Sequence, residues 1–302
     1  MLKKTVLLFV ACGLALSVPA IAQTSSGGAL PACQTWGAYP KTQDPDPYRV
    51  DKFFGDWHDA NPKPTHGALV ERDILTKGNS MEPPRKGAVL EDLNSYTYAT
   101  LAPGSSIAPM KLQGQQEIFY FLSGKGKMMS GGQTAEVYAN VGVLMPPGVE
   151  FSMKNDGAEP LSMYLINEML PAGFTPKTKM VVRDENATPI SDTDFTKNGH
   201  WAHIVRVVFE KTDGLAAIGR LLTVALDPMT IGEPHGHRPG QKEVWTAISG
   251  TSIAFVGTQV RNMPPGMAYQ IRPDTVMTHS NINAGKEQVK FLWFATNVRP
   301  PQ

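Results

Sequence analysis

Three histidines and one glutamate in the C-terminal part of the chain carry its strongest chemical signal. His235 and His237 are two residues apart, so a strand points both imidazoles to one face. Pro239-Gly240 turns the chain back, which lets Glu243 on the following strand face the same volume, and His279 reaches it from a later strand. Neutral imidazoles with one carboxylate suit a single divalent first-row transition metal: Mn, Fe, Ni, Cu or Zn. Four protein ligands on a six-coordinate ion leave two positions for substrate, dioxygen or water. The competing reading, scattered surface histidines, has to accommodate three of the chain's seven histidines at this spacing. Glu243 is also the candidate acid–base group. Arg238, next to His237, is placed to meet a substrate carboxylate, its alternative being a solvated loop residue.

Other reactive side chains read as structural. In His200-Trp201-Ala202-His203 a strand spacing of three puts the two imidazoles on opposite faces. Trp57, His58, Asp59 and His66 fall in a Pro-rich stretch and read as surface, with cover for a site mouth as the sharper alternative. Met145, Met153, Met163 and Met169 read as core filler rather than soft-metal ligands. Phosphate-cradling glycine loops, a nucleophile elbow and a Cys-x-x-Cys pair are all missing.

These groups need strands to hold them. Gly 28 and Pro 25 in 302 residues punctuate the chain often, while 41% hydrophobic residues suffice for a core, so the expected class is all-β. Strand-like runs include Glu117–Leu122, Val141–Met145, Leu161–Leu170, Ala202–Phe209, Leu221–Leu226, Glu243–Ile248 and Val289–Ala295. The two halves repeat. Glu117 with Gly124 seven residues on matches Glu243 with Gly250, an offset of 126; Phe151 to Asn155 matches His279 to Asn283, an offset of 128. A duplicated β-domain follows. Met145-Pro146-Pro147-Gly148 and Met263-Pro264-Pro265-Gly266 are identical but 118 apart, so they belong to different turns of the two units.

With this repeat in view the chain resembles the bicupins, members of the cupin superfamily built from two tandem jelly-roll β-barrels. The family's first motif runs Gly, five residues, His-x-His, three or four residues, Glu, six residues, Gly; here Met229 stands at the first Gly, followed by His235, His237, Glu243 and Gly250. The second motif gives Pro273, then His279 and Asn283. The gap from His237 to Glu243 is one residue longer than usual, and so is the stretch from Pro273 to His279, where Asp274-Thr275 replaces the usual Gly. Gln241 keeps the ordinary gap from His237, but only Glu243 is anionic and keeps six residues to Gly250. In the first half Pro103-Gly104 leads to Met110-Lys111-Leu112 in place of His-x-His, and Phe151 replaces the third histidine, leaving Glu117 alone. The first barrel is therefore expected to have lost its metal and to be filled with apolar side chains, with an apolar pocket at Met110, Leu112 and Phe151 as the alternative.

The resulting division is 1–22 signal peptide, 23–94 irregular N-terminal extension, 95–170 first cupin domain, 171–198 linker and 199–302 metal-binding second domain. Lys3 and Lys4, an apolar run and Ala20-Ile21-Ala22 predict cleavage at Ala22-Gln23 and a periplasmic or secreted protein without a stable membrane anchor. Cys12 leaves with the leader and Cys33 stays as an unpaired thiol. Lys+Arg 28 against Asp+Glu 27 gives +1; losing two lysines and no acid turns it to −1, so no nucleic-acid partner is expected. The resemblance implies a small-molecule substrate, and a homo-oligomer through the barrels is a further expectation. It implies an oxidoreductase of dioxygenase type on a substrate that chelates the metal. Isomerase, lyase or decarboxylase chemistry and a non-catalytic binding protein stay open. Oxalate-decarboxylating bicupins carry an Arg shortly before His-x-His; Ile231, Gly232, Glu233 and Pro234 stand here.

Overall fold

Runs of β-branched and aromatic residues cut by Gly and Pro turns fold here into short antiparallel strands. The computed structural model describes residues 49–191, 201–274 and 278–296; the leader, both cysteines and His200 lie outside them. The first set of strands is β1 (Phe54–Asp56), β2 (Lys63–Thr65), β3 (Leu69–Lys77), β4 (Ala88–Leu90), β5 (Leu93–Leu101), β6 (Ser106–Lys111), β7 (Gln115–Ser123), β8 (Lys125–Ser130), β9 (Gln133–Tyr138), β10 (Val141–Met145), β11 (Glu150–Lys154), β12 (Leu161–Met169) and β13 (Val181–Asp184). The second is β14 (Ile204–Glu210), β15 (Ile218–Leu226), β16 (Thr230–Ile231), β17 (His235–Gly236), β18 (Lys242–Ser249), β19 (Ser252–Val256), β20 (Gln259–Met263), β21 (Met267–Gln270), β22 (Thr278–Asn283) and β23 (Val289–Thr296). Among the described residues the helical pieces are 3-10 turns of three to five residues.

The sheet orders show the duplication directly. In the first barrel a sheet ordered β13-β10-β7-β12-β5-β3-β2 faces one ordered β6-β11-β8-β9. In the second, β1-β21-β18-β23-β15-β14 faces β16-β22-β19-β20, with β17 paired to β22. Position for position β7 corresponds to β18 and β12 to β23. The two identical Met-Pro-Pro-Gly runs do occupy different turns, one after β10 and one before β21.

Part of the stretch expected to be an irregular extension is woven into the barrels. β3 lies beside β5 in the first barrel, and β1 lies beside β21 in the second. The alternation that would announce β3 is broken by a bulge between Asp73 and Leu75 and by the acids Glu71 and Asp73 within the strand. β13, inside the expected linker, likewise pairs with β10.

Strand alternation sorts side chains into three cores. One cluster fills the first barrel, with Phe119, Phe121, Met145, Phe151, Met153 and Met163 fully or nearly fully buried. A second fills the other barrel, around Leu222, Val224, Trp245, Phe291 and Trp293. The third lies where the two large sheets meet and joins Tyr96, Tyr120 and Tyr164 of one barrel to Leu221, Val244 and Phe294 of the other. Its buried phenols are satisfied across the interface: Tyr96 Oη donates to Thr246 Oγ1 at 2.8 Å and Tyr164 Oη to the Ala247 carbonyl at 3.1 Å. Glu168, pushed up by burial, accepts the backbone N–H groups of Ala216, Ala217 and Ile218, which ties β12 to the start of β15.

Two motif positions explain themselves through the backbone. Gly124 and Gly250 both turn a hairpin with positive φ, 83° and 71°. A Cβ there would come within 2.6 Å of the Pro160 carbonyl oxygen or 2.7 Å of Val289 Cγ1. Met229, at the motif's first Gly, adopts φ 57°, where Gly104 of the first barrel has φ 72°.

Candidate metal centre

The fold brings His235, His237, Glu243 and His279 together, with one donor atom from each inside 4.8 Å of the others. Each arrives for a local reason. β17 pairs with β22 so that His235 stands directly opposite His279. His237 follows two residues on, and the turn at Gly240 returns the chain to β18, where Glu243 opens the strand's inward face. The three ring centroids are 4.6, 4.9 and 5.0 Å apart. His237 Nε2 lies 2.9 Å from His279 Nε2, and Glu243 Oε1 lies 3.5 Å from His279 Nε2.

The surroundings orient these rings. His235 Nδ1 is 2.9 Å from the Glu233 carbonyl oxygen, an acceptor only, so Nδ1 carries the proton and Nε2 is left as donor to an ion. Behind His279, Tyr269 Oη stands 3.1 Å from Nδ1, and Asn281 Nδ2 donates to that phenol at 3.1 Å. Burial, reinforced by the Glu243 charge, raises the Tyr269 phenol far above its ordinary range and keeps it protonated. Trp245 Nε1 donates to Glu243 Oε1 at 2.6 Å, which fixes the carboxylate. Burial lowers His237, and the nearby His235 lowers it further against the pull of Glu243, so the ring is held in the neutral form that metals need. Two imidazole nitrogens bound side by side to one ion at about 2.1 Å stand about 3.0 Å apart, so the donor set fits a single transition-metal ion.

His235, His237 and Glu243 of the cluster line a cavity of about 280 Å³, together with His203, Arg220, Leu222, Val224, Trp245 and Trp293. Arg238 lines its mouth and is exposed. Gln241 stands beside the cluster, its amide nitrogen 3.0 Å from His237 Nδ1 and 3.5 Å from Glu243 Oε2. His203, read as structural, also lines the cavity, its ring centroid 5.7 Å from that of Trp245.

The first barrel is not wholly filled. Below its mouth the apolar residues pack as expected, with Phe151 edge-on to Phe119 at 6.0 Å. At the mouth lies a cavity of about 480 Å³ lined by Met110 and Leu112 and also by Glu71, Gln115, Glu117 and Asn167. His66, expected at the surface, is buried there with a side chain 9% exposed. Its Nε2 is 2.9 Å from Glu117 Oε2 and its Nδ1 3.4 Å from Glu71 Oε1. Burial alone would lower the imidazole, but hydrogen bonds to Glu117 and Glu71 win and raise it to about 10. Glu71 also accepts from Thr65 Oγ1 and Thr97 Oγ1, and Glu117 accepts from Asn167 Nδ2 at 3.1 Å. A protonated imidazole therefore faces the only motif carboxylate of this barrel.

Residues 97–167 match the cupin domain family. A mutant of Bacillus subtilis oxalate decarboxylase superposes with a TM-score of 0.62 at 13% identity, covering 87% of this chain and 81% of that one. In fold, this chain is a bicupin. The 7S globulin of Momordica charantia gives 0.61 at 8% identity, over 82% and 85% of the two chains. AerE from Microcystis aeruginosa gives 0.60 at 11% identity, over 82% and 100%. No curated protein sequence matches the chain. The bicupin's sequence spacing delivered the four clustered residues, but it gave no hint of Arg220, Trp293, Tyr269 or the His66 pairing. For the first three the only sequence signal is strand alternation, which marks a face without saying what stands across it, and His66 lies in a turn where even that signal is missing.

Proposed function

We propose that this bicupin is an exported metal-dependent enzyme whose second barrel holds one divalent first-row ion on His235, His237, Glu243 and His279. The observation that supports this best is the convergence of those four donors, three of which line a cavity of suitable size for a small organic molecule. The bound ion would supply Lewis acidity and open coordination positions. The chain's own groups do the rest. Tyr269, Glu233 and Trp245 fix the orientation of His279, His235 and Glu243, and Trp245 and Trp293 wall the cavity. Glu243 is the acidic residue among the cavity-lining side chains and is the candidate to hold a proton, while Arg238 guards the mouth. The favoured reaction is a dioxygenase-type oxidation of a chelating substrate.

Decarboxylation is the second reading, favoured by the structural likeness to oxalate decarboxylases, one of which is described with Mn(II) centres. The absence of Arg from positions 231–234 weighs against oxalate itself. Metal analysis of protein isolated from the compartment to which it is exported, with oxygen uptake measured on catechols, flavonols and small keto acids, tests the proposal. His235→Ala and His279→Ala should lose both metal and turnover. Wild-type protein that retains no metal under any loading condition sinks it.

A further inference from the structure

The second-barrel cavity contains a cation that the metal cluster does not use. Arg220 of β15 and Glu243 of β18 stand on opposite sides of the same residue of β23, Ala295. Residues paired across strands share a face, so Arg220 points into the barrel on the same rung as Glu243. Two strand spacings put their backbones about 10 Å apart. The next rung inward is Leu222, Trp293 and Trp245, which forms an aromatic floor between the two charged groups. Glu210, the cross-strand neighbour of Arg220, holds the guanidinium with Oε1 2.9 Å from Nη2, and the arginine side chain is only 26% exposed.

The charge balance of this space is one-sided. Its lining includes Arg220 and Arg238 and a single acid, Glu243. A divalent ion on the histidines would more than offset the Glu243 charge, so the cavity would be cationic even with Arg220 paired to Glu210. A guanidinium presents a planar fork that matches a carboxylate, and it does so more strongly where water is scarce. Of the two arginines, only Arg220 is on the wall and aimed inward; Arg238 is exposed at the rim.

We infer that Arg220 is the specificity-determining anchor for a carboxylate on the substrate: the cavity takes a small planar carboxylate that lies over Trp245 and Trp293 and presents its other end to the His/Glu cluster. The inference rests on the second barrel being the metal-dependent site. It places the selective cation on β15, some fifteen residues before His235, rather than beside the His-x-His segment.

The test uses the full mature protein loaded with Mn(II) and titrated calorimetrically with 3,4-dihydroxybenzoate and with catechol, which differ by the carboxylate alone. Wild type should prefer the carboxylate at least about 10-fold. Arg220→Gln should bring the two affinities within about twofold, and Arg220→Lys should keep part of the preference. An undiminished preference in Arg220→Gln overturns the inference. Should that variant fail to fold, Glu210→Gln leaves the guanidinium and removes its competing carboxylate; the preference should rise, and a failure to rise overturns the inference. Benzoate, which does not chelate, is titrated in parallel into metal-free wild type and Arg220→Gln. Arg220-dependent benzoate binding in protein that retains no metal supports the anchor and removes only the metal reading; benzoate binding indifferent to Arg220 removes the anchor whatever the metal content.

Discussion

The mouths of the two barrels start from one plan and end in opposite chemistry. Glu117 on β7 and Glu243 on β18 occupy the same place in the repeat, each in a strand hydrogen-bonded to one of the matching pair β12 and β23. Around Glu243 stand three imidazoles, and burial keeps His237 deprotonated. Around Glu117 stands one imidazole, shared with Glu71, and its ring stays charged. The ratio of carboxylates to imidazoles decides the outcome. Two carboxylates around one ring stabilise a bound proton, whereas burial beside Glu243 and the other rings holds His237 neutral, the form that suits a metal. The first barrel instead sets an imidazole from the loop after β2 between its two buried carboxylates.

Several substitutions would break or sharpen this contrast. The largest effect is expected from His279→Ala, which should drop metal retention at least about 100-fold, while Glu117→Gln leaves metal content unchanged; metal analysis after dialysis reads both. Next, His66→Ala should cost about 3 kcal/mol in denaturant unfolding, because it leaves Glu71 and Glu117 buried without a counter-charge, and barrel-two metal content should be untouched. The same pair has a pH signature. The His66 pKa is raised above its unfolded value near 6.5, so its stabilising contribution is complete below that pH and disappears as pH climbs through about 10. Glu71 is lowered, despite burial, by its bonds to His66, Thr65 and Thr97, so its contribution is lost as pH falls below its ordinary range. The stability difference between wild type and His66→Ala should therefore be broad at neutral pH and shrink at both extremes; a pH-independent gap would mean that the ion pair is not what the substitution removes.

Smaller effects follow from the supporting residues. Tyr269→Phe removes the group that orients His279 and should weaken metal binding about 10-fold with little change in unfolding. Met229→Gly relieves a left-handed backbone at the family's glycine position and should stabilise the fold by about 1 kcal/mol, seen as a modest rise in melting temperature.

Much of this contrast is written locally. The all-β class and the four converging residues follow from spacing of two along a strand and from turns at Gly and Pro, the duplication follows from the repeated offsets, and the reading of Met110 and Leu112 in place of His-x-His follows from the resemblance to the cupin motif. The integration of residues 54–77 into the sheets was hidden, since β3 is bulged and carries acids in mid-strand, which masks its period.

What the sequence by itself determined is which residues share a strand face, because side-chain direction alternates with the backbone that carries it. What only the tertiary structure decided is which faces meet. His66 reaches Glu117 across 51 residues, and Arg220 is level with Glu243 only because both strands pair with β23 at Ala295. Such meetings are set by sheet order and register, which depend on the packing of the whole barrel and leave no periodic trace in the chain.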